Sequence, residues 1–324
     1  MPSSARFSRL IRLALSFFGM ACLCMAAQQH ALATDSTEKE VHVYNWTEYI
    51  PDSVLADFTK KTGIKVIYTT FETSEAMYRG VKAAKNRHYD VVVPSGYYVD
   101  ILRRAGYLQK IDHSRIANLD NLDFSIMDRD FDPENRYSIP YMWGAVGLAY
   151  NTKHIPKGTL TRWTQLQDPR YKGKILMTDD LRDALGLAML AQGRSSNSRQ
   201  PADIKAGYEF LVKLKPSIRI FDVTATKDAL INEDVWLAPM WNGDYLVAKE
   251  KKPELDYVFP DEGAVLWVDS FVIPVGAKNV DHAYAFINYM LRPEVAAECV
   301  KEYRYSTPNL AARKLLPAAL RNNP

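Results

Sequence analysis

Residues 89–106 read YDVVVPSGYYVDILRRAG, and this stretch decides the fold class. Tyr89 to Val93 reads as a strand that Pro94 closes. Its run Asp90-Val91-Val92-Val93 does not alternate, which fits a strand covered on both faces. Val99 to Ala105 then reads as a helix that Gly106 ends. Upstream, VHVYNW alternates from Val41, and Pro51 opens a helix carrying Val54, Leu55 and Phe58 that Gly63 stops. Ile64 to Thr70 reads as a second strand, and Ser74 to Lys85 as a helix with Met77, Val81 and Ala84 on one stripe. Strands alternating with helices imply an α/β fold with a parallel-type sheet.

The pattern resets around Tyr137 to Asn151. Further strands are expected at Ile175–Thr178 and Val235–Met240, with helices near 181–191 and 203–214. Two late helices, Asp281–Leu291 and Pro293–Tyr303, are separated by Pro293. There is no repeat and no low-complexity linker, so two α/β lobes joined by ordered crossings fit better than separate beads.

The 324 residues are 47% hydrophobic and 24% charged, ample for a packed core and against disorder or a disulfide scaffold. Residues 1–12 are basic and serine-rich, and residues 13–27, LALSFFGMACLCMAA, are uncharged and largely apolar. Ala31-Leu32-Ala33 then supplies a small-x-small cleavage pattern, so residues 1–33 read as a signal peptide and the mature protein as exported. The run falls short of the roughly 20 residues that span hydrocarbon. Cys22 and Cys24 lack the usual lipoprotein surroundings, so a lipid anchor is not expected. The leader holds three arginines and no acid; without it the 38 Asp and Glu face 38 Lys and Arg. A neutral body leaves no nucleic-acid footprint. Only Cys299 then remains, and PEVAAECVKEY makes it a buried small hydrophobe rather than a reactive thiol.

Motifs for catalysis are missing. His42, His88, His113, His154 and His282 have no metal-ligand spacing, and no nucleophile elbow, dinucleotide fingerprint or phosphate loop occurs. No metal and no cofactor are expected. Aromatics and acids instead recur together: Trp46-Thr47-Glu48-Tyr49, Ser95-Gly96-Tyr97-Tyr98, Asp179-Asp180 with Asp183, Trp241-Asn242-Gly243-Asp244, and Trp267-Val268-Asp269. Each follows an expected strand or a strand-like apolar run, where ligands of open α/β sheets bind. Converging, they make a box of ring faces with carboxylates at its ends, suited to a slender organic cation. Singly, each has an ordinary explanation: a tryptophan in the core, Asp180 or Asp183 as a helix N-terminal charge, Ser95 as an N-cap, Asn242-Gly243 as a turn. Their co-occurrence carries the reading.

NWTEYIP, KKTGIKVIYTTFET, YDVVVPSGYYVD, YSIPYMWGA, YKGKILMTDD, MWNGD, WVDS and TPNLAARKLL resemble the spermidine/putrescine-binding periplasmic proteins, receptors of ATP-driven polyamine importers, over about residues 40–318. The resemblance implies a two-lobed, venus-flytrap periplasmic-binding-protein fold, each lobe a mixed, mostly parallel sheet flanked by helices. It places residues 34–144 and 269–314 in lobe 1 and 145–268 and 315–324 in lobe 2, with crossings near Gly144 and Asp269 and a return near Leu315. Trp46, Tyr97, Trp241 and Trp267 would pack on the ligand's methylenes, and Thr47, Tyr49 and Ser95 would add polar contacts near one end. Asp180 and Asp183 would hold a terminal ammonium, Asp269 a more internal amine, and Tyr305 would stand at the cleft. Implied partners are spermidine or putrescine and the membrane permease of an ABC importer; a periplasmic monomer is implied.

Three departures stand out against the family pattern. Asp183 fills a position that is commonly Glu. Asp244 is an acid where spermidine-preferring relatives tend to a small neutral residue, although Thr47, Tyr97 and Trp267 look like that branch. The lean is to spermidine, with putrescine also bound. Relatives usually continue past LAARKLL into a segment that returns to the second lobe and adds a polar side chain to the cleft. Two other readings compete: a hydrolase using Asp179 and Asp180, which adjacent placement disfavours, and a sensor or adhesion protein that kept the fold.

Overall fold

The computed structural model describes residues 39–84 and 89–321, so the expected leader, with Cys22 and Cys24, and His88 lie outside the described residues. The first half runs β1 (Glu40–Trp46), α1 (Asp52–Thr62), β2 (Lys65–Phe71), α2 (Ser74–Ala83), β3 (Val91–Val92) and α3 (Gly96–Arg104). A long strand, β4 (Ser138–Asn151), leads into β5 (Ile175–Met177), α4 (Leu181–Leu190), α5 (Pro201–Leu214), β6 (Ile218–Phe221), α6 (Thr226–Ile231), β7 (Leu237–Trp241), α7 (Asn242–Lys251) and β8 (Leu255–Val258). The chain returns through β9 (Val265–Val272) and closes with α8 (Val280–Met290), α9 (Pro293–Tyr303), α10 (Leu310–Leu315) and α11 (Ala318–Arg321).

Local chemistry explains the helices the sequence announces. α1 follows Pro51, carries Asp52 in its first turn and Lys60 and Lys61 in its last, and stops at Gly63, whose φ of 69° suits glycine. α2 is capped by Thr73, whose hydroxyl accepts the Ala76 amide at 3.2 Å. Asp180 caps α4, accepting the amides of Arg182 and Asp183.

The strands form one ladder in the order β2-β1-β3-β9-β4-β7-β5-β6, with β8 beside β4. Each wing is parallel: β2, β1 and β3 on one side, β6, β5 and β7 on the other. The middle is antiparallel, with β9 against β3 and β4, and β4 against β7 and β8. The fold is therefore mixed α/β. Two separate cores flank this middle. One gathers Val41, Phe58, Val92, Leu102, Phe271 and Phe286, the other Leu148, Trp163, Met177, Leu187, Phe210 and Val265. Residues 142–146 pair with 265–269 where one core gives way to the other. Gly144 and Asp269 both lie in this paired segment.

Several elements differ from expectation. Asn242-Gly243 is the first turn of α7, not a loop. Trp267 and Asp269 lie inside β9 rather than after a strand. Of residues 315–324, expected in the second lobe, Leu316 and Leu320 pack with Ala296, Ala297, Val300 and Ala312, on α9 and α10, and residues 322–324 lie outside the described residues. That apolar stripe covers Leu316 locally, so the chain stays beside α9. Cys299 is fully buried, and burial pushes its thiol up to about 12. No helix among the described residues is long and apolar enough to cross a membrane.

Candidate functional site

The carboxyl ends of the parallel strands converge, as an open α/β sheet requires of a ligand site. β1 ends at Trp46 and delivers Thr47 and Tyr49; β3 leads to Ser95 and Tyr97; β5 leads to Asp180 and Asp183; β7 ends at Trp241. β9 adds Trp267 and Asp269, two residues apart and so on one strand face. With Tyr305, these eleven side chains line one cleft of about 1160 Å³. Asp244, the twelfth expected residue, does not line it. It borders a crevice of about 10 Å³ with Asp183, Thr226 and Trp241, room for about one water.

Both halves contribute aromatic walls. The Trp46 and Trp241 rings meet edge-on with centroids 6.1 Å apart. Trp267 and Tyr305 do so at 5.3 Å. Backbone shape permits this. A Cβ on Gly144 would stand 2.5 Å from the Trp267 ring, and one on Gly243 would enter the Tyr305 ring. These two glycines are therefore part of the wall: any larger residue would displace a ring that faces the cleft.

The acids sit in three distinct settings. Asp269 accepts a 2.5 Å bond from the Ser95 hydroxyl and a 2.6 Å bond from the Tyr49 hydroxyl. Burial raises its pKa to about 7, and the two hydroxyls only partly oppose that. Ser95 thus spends its hydroxyl on Asp269 and makes no side-chain cap for α3, although it occupies the N-cap position. Tyr49 is itself held, since its carbonyl accepts the Tyr141 hydroxyl at 2.8 Å.

Asp180 and Asp183 form the second setting. Asp180 accepts the Arg182 amide at 2.9 Å and the Asp183 amide at 3.1 Å, so it is a helix cap and a cleft acid at once. Burial still raises its pKa. Asp183 is raised further, by burial first and by the Asp180 charge second, while the Trp241 indole N–H donating at 2.9 Å pulls the other way. No ion pair among the described residues joins Asp180, Asp183 or Asp269 to a lysine or arginine. Asp179 does not line this cleft; its carboxylate accepts the Val223 amide at 2.9 Å.

Asp244 is the third setting. Burial raises its pKa, but the Lys227 ammonium, 3.1 Å away, opposes the rise. The same ammonium bonds Glu48. Nothing in the sequence around Lys227 marks it. Thr47, expected as a ligand contact, donates its hydroxyl to Glu72 at 2.7 Å while lining the cleft. Tyr97 lines the cleft too, with the Arg182 guanidinium 5.5 Å from its ring centre.

Comparison with known proteins fits this site. Residues 53–324 match the family described as bacterial extracellular solute-binding protein. A spermidine/putrescine-binding periplasmic protein of Salmonella typhimurium is 44% identical over 305 residues, covering 94% of this chain and 86% of that protein. A putrescine-binding periplasmic protein of Escherichia coli K12 is 32% identical, covering 93% of this chain and 85% of that one. A solved structure titled as a putative spermidine/putrescine ABC transporter from Listeria monocytogenes superposes with a TM-score of 0.84 at 36% identity, covering 88% of each chain. The two-lobed periplasmic-binding-protein fold and the matched motifs together place the chain: it belongs to the bacterial extracellular solute-binding proteins.

Proposed function

We propose that this protein is a periplasmic polyamine receptor that binds spermidine or putrescine in the interlobe cleft and delivers it to the permease of an ATP-driven importer. One observation carries the proposal: Asp180, Asp183 and Asp269 are buried, line one aromatic cleft, and form no ion pair with a lysine or arginine among the described residues. Buried charge without a partner is costly. An alkyl-polyammonium ligand relieves that cost and offers methylenes to Trp46, Trp241 and Trp267. Anions would meet the same carboxylates and be repelled.

The mechanism is recognition, with no bond made or broken. Asp180 and Asp183 take one terminal ammonium, and Asp269, oriented by Ser95 and Tyr49, takes a second amine. Lobe 1 comprises residues 34–144 and 269–314, lobe 2 the intervening chain, and closure of the two selects the form a permease reads. Residues 1–33 direct export and are removed, and the mature protein acts as a monomer.

Calorimetric titration of residues 34–324, refolded to strip carried ligand, tests this with putrescine, spermidine and lysine. Micromolar polyamine binding, about 8 kcal/mol, with lysine silent, is expected. A folded protein deaf to both polyamines refutes the reading. The pH dependence sharpens the test. Asp269 is half-protonated near pH 7 when free and must ionise to hold an amine. Binding therefore releases protons near neutrality, and affinity should rise from about pH 5.5 to about pH 8.

A further inference from the structure

Glu48 and Asp244 lie outside the cleft lining, yet both are fastened to it. Glu48 occupies the turn after β1 with a φ of 52°, between Thr47 and Tyr49, which line the cleft. Asp244 interacts electrostatically with Tyr305, another lining residue, and lies one position past Gly243, whose backbone abuts the Tyr305 ring. Lys227, on α6, spans the two: its ammonium bonds Glu48 and lies 3.1 Å from Asp244. Lysine ends in a compact primary alkylammonium. That is the chemical group that ends a polyamine. The Glu48–Asp244 gap is therefore already shown to accept one such group, and the chain itself supplies it.

We propose that Lys227 is a resident counter-ion that closes the Glu48–Asp244 end of the site to ligand ammonium groups, and so limits how many positive charges the cleft accepts. The inference rests on the polyamine reading above. It divides the acids into two sets: Asp180, Asp183 and Asp269 answer to the ligand, and Asp244 with Glu48 answers to Lys227. Three buried carboxylates then face the ligand, enough for a dication or trication; of the other acids lining the cleft, Glu72 accepts the Thr47 hydroxyl, Asp100 is paired with Arg103 and Arg104, and Asp128 and Asp130 are exposed to solvent. Spermine, a tetracation, finds its fourth acid already neutralised. An unmatched ammonium left in a partly desolvated site is penalised, so the exclusion is a rejection as well as a missing attraction.

The test is calorimetry of putrescine, spermidine and spermine against the wild type, Lys227→Met, Lys227→Gln and the double variant Lys227→Met/Asp244→Asn. Thermal denaturation establishes that each is folded. Lys227→Gln keeps a hydrogen-bond donor between the two acids and serves if the methionine variant does not fold. Removing the ammonium should raise spermine affinity relative to putrescine at least tenfold, about 1.4 kcal/mol. Adding Asp244→Asn should cancel that gain. An unchanged ligand ranking in a folded Lys227 variant overturns the inference alone, as does a gain that survives loss of Asp244. A wild type that binds none of the three overturns the polyamine reading and this inference with it.

Discussion

Asp244 shares its charge with Lys227, 3.1 Å away, whereas Asp269, among the described residues, meets the neutral hydroxyls of Ser95 and Tyr49. Both carboxylates are buried, and burial raises both pKa values. The lysine opposes the rise at Asp244. At Asp269 two neutral donors leave the value near 7. On the proposed function, the comparison separates an acid satisfied by its own protein from one that a ligand would satisfy. Burial alone would rank the two residues together; what faces each of them tells them apart.

The difference can be broken most sharply at Asp269. Asp269→Asn should lower polyamine affinity by about 2–4 kcal/mol, because it leaves a ligand amine buried without its anion. The same variant should stabilise the ligand-free protein at neutral pH. Between the ordinary carboxylate range and about 7 the folded state binds the proton that the unfolded state has lost. Wild-type stability therefore falls as pH rises through that window, and the asparagine variant does not share the fall. Melting curves at about pH 4 and about pH 8 check this: the two proteins should converge at the lower pH and separate at the higher, with the variant on top. A smaller loss, about 1–2 kcal/mol, is expected for Trp267→Ala from lost ring contact with the methylenes and the ammonium. The smallest effect belongs to Asp244→Asn, which should change putrescine affinity less than tenfold, since Lys227 keeps Glu48 as its partner. An Asp244 effect as large as that of Asp269 would erase the comparison.

Much of this site was legible in the sequence, for a physical reason. In a parallel wing the cleft-facing residues fall immediately after apolar runs, so Trp46, Ser95, Asp180 and Trp241 are marked by the strands before them. The unequal cases follow from the same logic. Trp267 and Asp269 belong to a crossing strand whose pairing with β4 is long-range, so they read as a loop after an apolar run. Asn242-Gly243 carries a turn's chemistry but continues as α7, because glycine is needed there to admit the Tyr305 ring. β6, α6 and β8 are short and weakly patterned and escaped notice. Lys227 was illegible altogether. Its partner Glu48 is 179 positions away, and no local pattern records a pairing of that kind.

The antiparallel pair β4–β9 joins the two cores, and it also carries Trp267 and Asp269 into the cleft. A rotation of one lobe against the other must twist this ladder, and those two side chains ride on the twisting segment. The site's grip and its joint are thus one mechanical part. On the proposed closure, a ligand that fixes the tilt of Trp267 and the position of Asp269 would fix the angle between the lobes, as a wedge seated in the axle of a door sets how far the door stands open.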